Sequence, residues 1–101
     1  MKMHNPPHPG EMIEGILEDL GLGIRVFARA LNVSPSTVQR LVACKAAISP
    51  EMAVKLAAVL GSTPAMWLRL QAAYDLGKAE ENVDVSNLTK LYKPDPISLH
   101  S

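Results

Sequence analysis

Residues 21–50 read GLGIRVFARALNVSPSTVQRLVACKAAISP and carry four basic side chains, Arg25, Arg29, Arg40 and Lys45, with no acidic one, in a chain whose formal charge is zero. Ile24, Phe27, Ala28 and Leu31 recur at helical spacing. Asn32, among the few non-glycine residues that tolerate positive φ, follows where the chain must turn. Ser34 then offers an N-cap hydroxyl ahead of Pro35, whose φ is already helical, and Val38, Leu41 and Val42 form the buried side of a helix running to about Ala43. Two short helices joined by a tight turn, the second free to enter a groove, make a helix-turn-helix, and the local excess of positive charge points to nucleic acid.

Working outward, Ile13, Ile16, Leu17 and Leu20 predict a helix before this unit, ended by Gly21 in a left-handed cap. After it, Ser49 and Pro50 repeat the Ser-Pro start signal, and Ala53, Leu56, Ala57 and Leu60 give an apolar stripe that stops at Gly61. Thr63 and Pro64 open a fifth, longer helix through Trp67, Leu70 and Tyr74 to about Glu81, with Gly77 a weak spot inside it. The reading is an all-α, five-helix domain. Residues 1–9 are expected to form an extended arm, 10–82 the helix-turn-helix domain with a C-terminal dimerisation helix, and 83–101 a tail. In that tail Val83–Tyr92 suits a short strand or one helical turn, and 93–101, with two prolines, is expected to be flexible.

At 101 residues, 48% hydrophobic and 20% charged, the chain has the composition of one globular domain with a modest core. Its one cysteine, Cys44, cannot close an intrachain disulfide and supplies no metal framework. No apolar run approaches the ~18 residues of a membrane span, and the amino terminus lacks a signal-peptide stretch, so a cytoplasmic protein is expected. A pI near 6.8 argues against indiscriminate coating of nucleic acid, so binding must be confined to one face.

On that face, Ser36, Thr37, Gln39, Arg40 and Ala43 point away from the Val38/Leu41 side of the second helix of the pair. Arg40 can donate a bidentate pair to guanine O6 and N7, Gln39 can pair with adenine N6 and N7, and the two hydroxyls can serve bases or phosphates. Arg25 sits in the first turn of its helix, at the positive end of the macrodipole, a conflict that a phosphate would remove. Arg29 is a second phosphate ligand or a surface charge. Lys45, just past the recognition helix, can reach phosphate while complementing that helix's negative end.

Glu11, Glu14 and Glu18 lie on the opposite side of the first helix from its apolar stripe. Such a ridge is either a solvated face or a docking surface for a basic partner. Met66, Leu70 and Tyr74 belong to an apolar face on the fifth helix that a two-fold dimer would share, setting two recognition helices about one DNA turn, ~34 Å, apart on a palindromic site. Catalysis is not expected: His4, His8 and Glu11 have a spacing a metal can use on a helix, but Pro6, Pro7 and Pro9 prevent one, and no glycine-rich phosphate loop is present. No metal and no cofactor are therefore expected.

HPGEMI at 8–13, FARALNVSPSTVQRLVACKAAISPEMAVKLAAVLG at 27–61 and STPAMWLRLQAAYDL at 62–76 closely resemble the HigA/VapI family of antitoxins, which share the helix-turn-helix fold of the phage Cro/repressor group. The resemblance implies a homodimer that represses its own operon by binding operator DNA and neutralises a HigB-type ribonuclease toxin. It carries Ser36, Thr37, Gln39 and Arg40 onto base-facing positions and Arg25 and Lys45 onto phosphate positions, and maps no toxin contact. Two departures stand out. Cys44 replaces the glycine usual before the lysine, so a strained or rearranged cap is expected there. Pro35 stands where some relatives place a base-reading polar side chain. A stand-alone regulator and a protein-interaction module that has lost DNA affinity remain as alternatives.

Overall fold

Four of the five helices in the computed structural model, which describes residues 6–92, open on a side-chain cap followed by proline. These are α1 (Pro9–Leu20), capped by His8; α3 (Pro35–Val42), capped by Ser34; α4 (Pro50–Leu60), capped by Ser49; and α5 (Pro64–Asn82), capped by Thr63. Each cap accepts a first-turn backbone N–H that has no intrahelical partner, while the proline lacks a donor to satisfy. The exception is α2 (Ile24–Leu31), where Gly23 offers no side chain.

The helix ends are as uniform. At Gly21, Asn32 and Cys44 the backbone turns left-handed, with φ of 67°, 59° and 63°. Each reversal is closed by a pair of bonds running back into the last turn: Gly21 N–H to Glu18 O and Leu22 N–H to Leu17 O; Asn32 N–H to Arg29 O and Val33 N–H to Ala28 O; Cys44 N–H to Leu41 O and Lys45 N–H to Arg40 O. This Schellman geometry favours glycine, tolerates asparagine and strains cysteine. The cap expected after α3 is therefore retained rather than rearranged, and Cys44 bears the strain.

Between these fixed ends the apolar stripes meet in one core of Ile13 and Leu17 from α1, Phe27, Ala28 and Leu31 from α2, Val38 and Leu41 from α3, Ala53 and Leu56 from α4, and Trp67 from α5, with Ile48 entering from the α3–α4 loop. Full burial of side chains the size of Phe27, Leu41 or Leu56 contributes roughly 1.5–3 kcal/mol each. The Trp67 indole N–H donates to Ser62 Oγ in the turn before α5, so its polar edge is satisfied too. The five-helix, all-α expectation is met, with no strand and no helix long and apolar enough to cross a membrane among the described residues.

Several details differ from the expectations. Leu20 is 58% exposed, because Leu17 is the last of the α1 stripe to reach the core. His8, assigned to an extended arm, is buried: its Nδ1 accepts the Gly10 N–H at 2.8 Å and its ring stands edge-on to Tyr74 with centroids 4.8 Å apart. The helix thus begins at Pro9, inside the span assigned to the arm. Gly10 lies so close to α3 that a Cβ there would overlap the Leu41 carbonyl oxygen. Past α5, residues 83–92 form neither a strand nor a helix but an exposed segment with one turn, closed by Leu88 N–H to Val85 O and by Asp84 accepting the Ser86 N–H. His4, His100 and the tail at 93–101 lie outside the described residues.

Two substitutions probe this architecture by urea unfolding. Gly10→Ala is expected to destabilise by about 1–3 kcal/mol, since α1 must move off α3. Cys44→Gly is expected to stabilise by about 0.5–1 kcal/mol, the left-handed strain relieved minus the extra freedom of glycine in the unfolded chain.

Candidate nucleic-acid interface

The exposed side of α3 divides into two chemically distinct ends. At its start, Ser34 Oγ lies 3.1 Å from Ser36 Oγ and 2.9 Å from Thr37 Oγ1, and it accepts the Thr37 N–H at 3.3 Å. Ser36 remains exposed, whereas Thr37 is half-buried and its hydroxyl is engaged by the cap, so Thr37 is the least available of the predicted base-facing residues. Gln39 and Arg40 are exposed. Arg40 Nη2 reaches the Lys45 carbonyl at 3.5 Å, a long and weak bond that leans the guanidinium toward the exposed Lys45 at the far end of the helix.

Arg25 and Arg29 stand on α2, both exposed, and with Ala28, Asn32, Val33 and Pro35 they line a shallow pocket of about 300 Å³ where α2 meets the start of α3. The first turn of α2 holds neither an acidic residue nor a side-chain cap. Its leading N–H groups and the Arg25 guanidinium therefore add positive potential at one spot, the arrangement that favours an anion. Hydroxyls, an amide and the Arg40 guanidinium of α3, with Lys45 just beyond it, thus stand on the element that follows an anion-seeking helix start, which suits a duplex presenting base edges next to phosphates.

The remaining predicted residues distribute differently. Glu11, Glu14 and Glu18 are exposed along α1. Met66 and Leu70 are half-buried against the core of their own chain, and Tyr74 sits between His8 and Lys78, whose Nζ is 5.9 Å from the ring centroid. The larger exposed apolar side chains of this end are Leu76, Val83, Val85, Leu88 and Leu91. Burial pushes the Cys44 thiol up from its ordinary value, the Glu11 and Glu14 carboxylates add to the shift, and the Glu11 backbone amide opposes it. Cys44 is thus a protonated packing group at neutral pH.

Sequence reasoning missed Gln71. It is 6% exposed, its Oε1 accepts the Ile48 N–H at 2.8 Å and its Nε2 donates to Asp75 at 3.0 Å. The available signal was a polar residue one turn after Trp67 on a stripe that is otherwise apolar.

Comparison with known proteins agrees with this geometry. A family model described as Helix-turn-helix matches residues 13–68. The chain is 53% identical to YddM, an uncharacterised HTH-type transcriptional regulator of Escherichia coli K12, over 90% of this chain and 97% of that one. It is 40% identical to Antitoxin HigA-1 of Vibrio cholerae, over 70% of this chain and 68% of that one. Antitoxin GraA, solved in complex with its operator, superposes with a TM-score of 0.83 at 31% identity, over 92% of this chain and 98% of that one.

The unrelieved charge at the start of α2 can be measured without any ligand. Arg25→Ala is expected to stabilise the free protein by about 0.3–1 kcal/mol at low salt, with the gain fading at high salt, as urea unfolding at two ionic strengths will register.

Proposed function

The chain belongs to the helix-turn-helix family, in its HigA/VapI branch, and we propose that it is the antitoxin and autorepressor of a toxin-antitoxin pair. As a dimer it binds a palindromic operator upstream of its own gene and neutralises a HigB-type ribonuclease toxin. The observation that carries the DNA half of this reading is the start of α2, among the described residues the one helix left without a side-chain cap and the one with an arginine in its first turn. A phosphate placed there meets backbone N–H groups and the Arg25 guanidinium together.

In this reading α3 lies in the major groove with Arg40 on a guanine, Gln39 on an adenine and Ser36 on a base or phosphate, while Thr37 supports the cap more than it reads. Arg29 and Lys45 add phosphate contacts on either side. Dimerisation through α5 uses the parts of Met66, Leu70 and Tyr74 left uncovered by their own chain, and the 83–92 segment extends that apolar surface. The exposed carboxylates of Glu11, Glu14 and Glu18 form the surface offered to a basic toxin, on a different helix from the DNA face. One chain can thereby serve both partners.

The experiment is binding to a labelled duplex from immediately upstream of the gene, against a scrambled duplex, at two salt concentrations. Preference for the native duplex with steep salt dependence is the expected result; equal, weak binding to both refutes the autorepressor reading. Arg40→Ala is expected to cost about 1–3 kcal/mol on the native duplex and little on the scrambled one, and equal losses on both would make Arg40 a phosphate contact.

A further inference from the structure

We infer that Gln71 is a positioning residue for DNA binding: from α5 it holds the backbone after the recognition helix in the place from which Lys45 meets phosphate. The inference rests on the DNA-binding reading above and adds to it a residue that touches no DNA. Ile48, three residues after Lys45, has its side chain in the core, and its N–H is taken by Gln71 Oε1 at 2.8 Å across 23 residues of sequence. A buried backbone donor needs a partner, and here a side chain from another helix supplies it. The same amide is held from its other end, with Nε2 donating to Asp75 one turn along α5 at 3.0 Å, which fixes which atom faces Ile48.

The segment carrying Lys45 is thus pinned on both sides. On one side the Cys44 and Lys45 N–H groups close the end of α3, through a left-handed cysteine rather than a relaxed glycine. On the other side stands Gln71. With strain at the first pin, the loop's geometry relies on the second. Removing the Gln71 acceptor leaves Lys45 on a segment tied only to α3 and to the Ile48 side chain, and a lysine that wanders neutralises phosphate less well.

The test compares wild type with Gln71→Met, which keeps the length and apolar packing but offers Ile48 no comparable acceptor, and with the pair Gln71→Glu plus Asp75→Asn. The pair restores both bonds with donor and acceptor exchanged along α5. For Gln71→Met, amide hydrogen exchange at Ile48 is expected to quicken on the order of tenfold, the factor that corresponds to losing one net hydrogen bond. The slope of log affinity against log salt is expected to shrink by about 0.9 per chain, as for one lost phosphate contact, with the preference for native over scrambled duplex unchanged. The pair should return both quantities toward wild type. A folded Gln71→Met protein with the wild-type slope overturns this inference alone, as does a pair that fails to restore the slope while remaining folded. A wild type without salt-dependent binding overturns the DNA-binding reading and this inference with it.

Discussion

The close approach of Gly10 to the Leu41 carbonyl is the constraint on which the rest of the molecule is arranged. It seats the first turn of α1 directly on the last turn of α3, and no residue with a Cβ fits there without displacing one helix from the other. Around that contact the neighbouring groups fall into place. His8 caps α1 and stands against Tyr74 of α5, while the Cys44 thiol lies near the Glu11 backbone amide. The recognition helix is gripped from behind at its C-terminal end, and its front is left clear. Rigid support on one side holds the polar side chains on the other in fixed positions.

Charge is sorted by element rather than by amount. With ten basic and ten acidic residues the chain is neutral, yet residues 21–50 hold no carboxylate and α1 presents four, Glu11, Glu14, Glu18 and Asp19, all exposed. An approaching polyanion therefore experiences a direction, attracted to one face and turned away from another, without the non-specific adhesion that a large net charge brings. The helix caps sharpen this. Four helix starts are neutralised locally by a side-chain acceptor, and the fifth keeps its positive end open on the basic face.

What was legible in the sequence was local. Ser34, Ser49 and Thr63 before prolines, glycine or asparagine at reversals, and apolar residues at helical spacing each depend on neighbours a turn away, so helix limits were predicted within a residue or two. What could not be read depends on contacts between distant segments. His8 precedes Pro9 as Ser34 precedes Pro35, but only the packing of α5 over the amino terminus shows that an imidazole can do a hydroxyl's work. Leu20 has the right spacing for burial and lacks a neighbour to bury it. Gln71 has the wrong polarity for its stripe until the Ile48 amide is seen beside it. The exposure of Ser36, Gln39 and Arg40 on α3 was legible, though the engagement of Thr37 by Ser34 was not, because hydroxyls serve a cap and a ligand equally well.

Trp67 is the chain's one tryptophan, 1% exposed, with its indole N–H tied to Ser62 in the turn between α4 and α5. That placement gives the protein a built-in fluorophore at the seam of its core. A shielded indole emits toward the blue, and opening the α4–α5 seam admits water and moves the emission to the red. Since Tyr74 and Tyr92 absorb at shorter wavelength, light at the red edge excites Trp67 alone, and the integrity of the seam can be followed in unlabelled protein while α3 is occupied with a ligand.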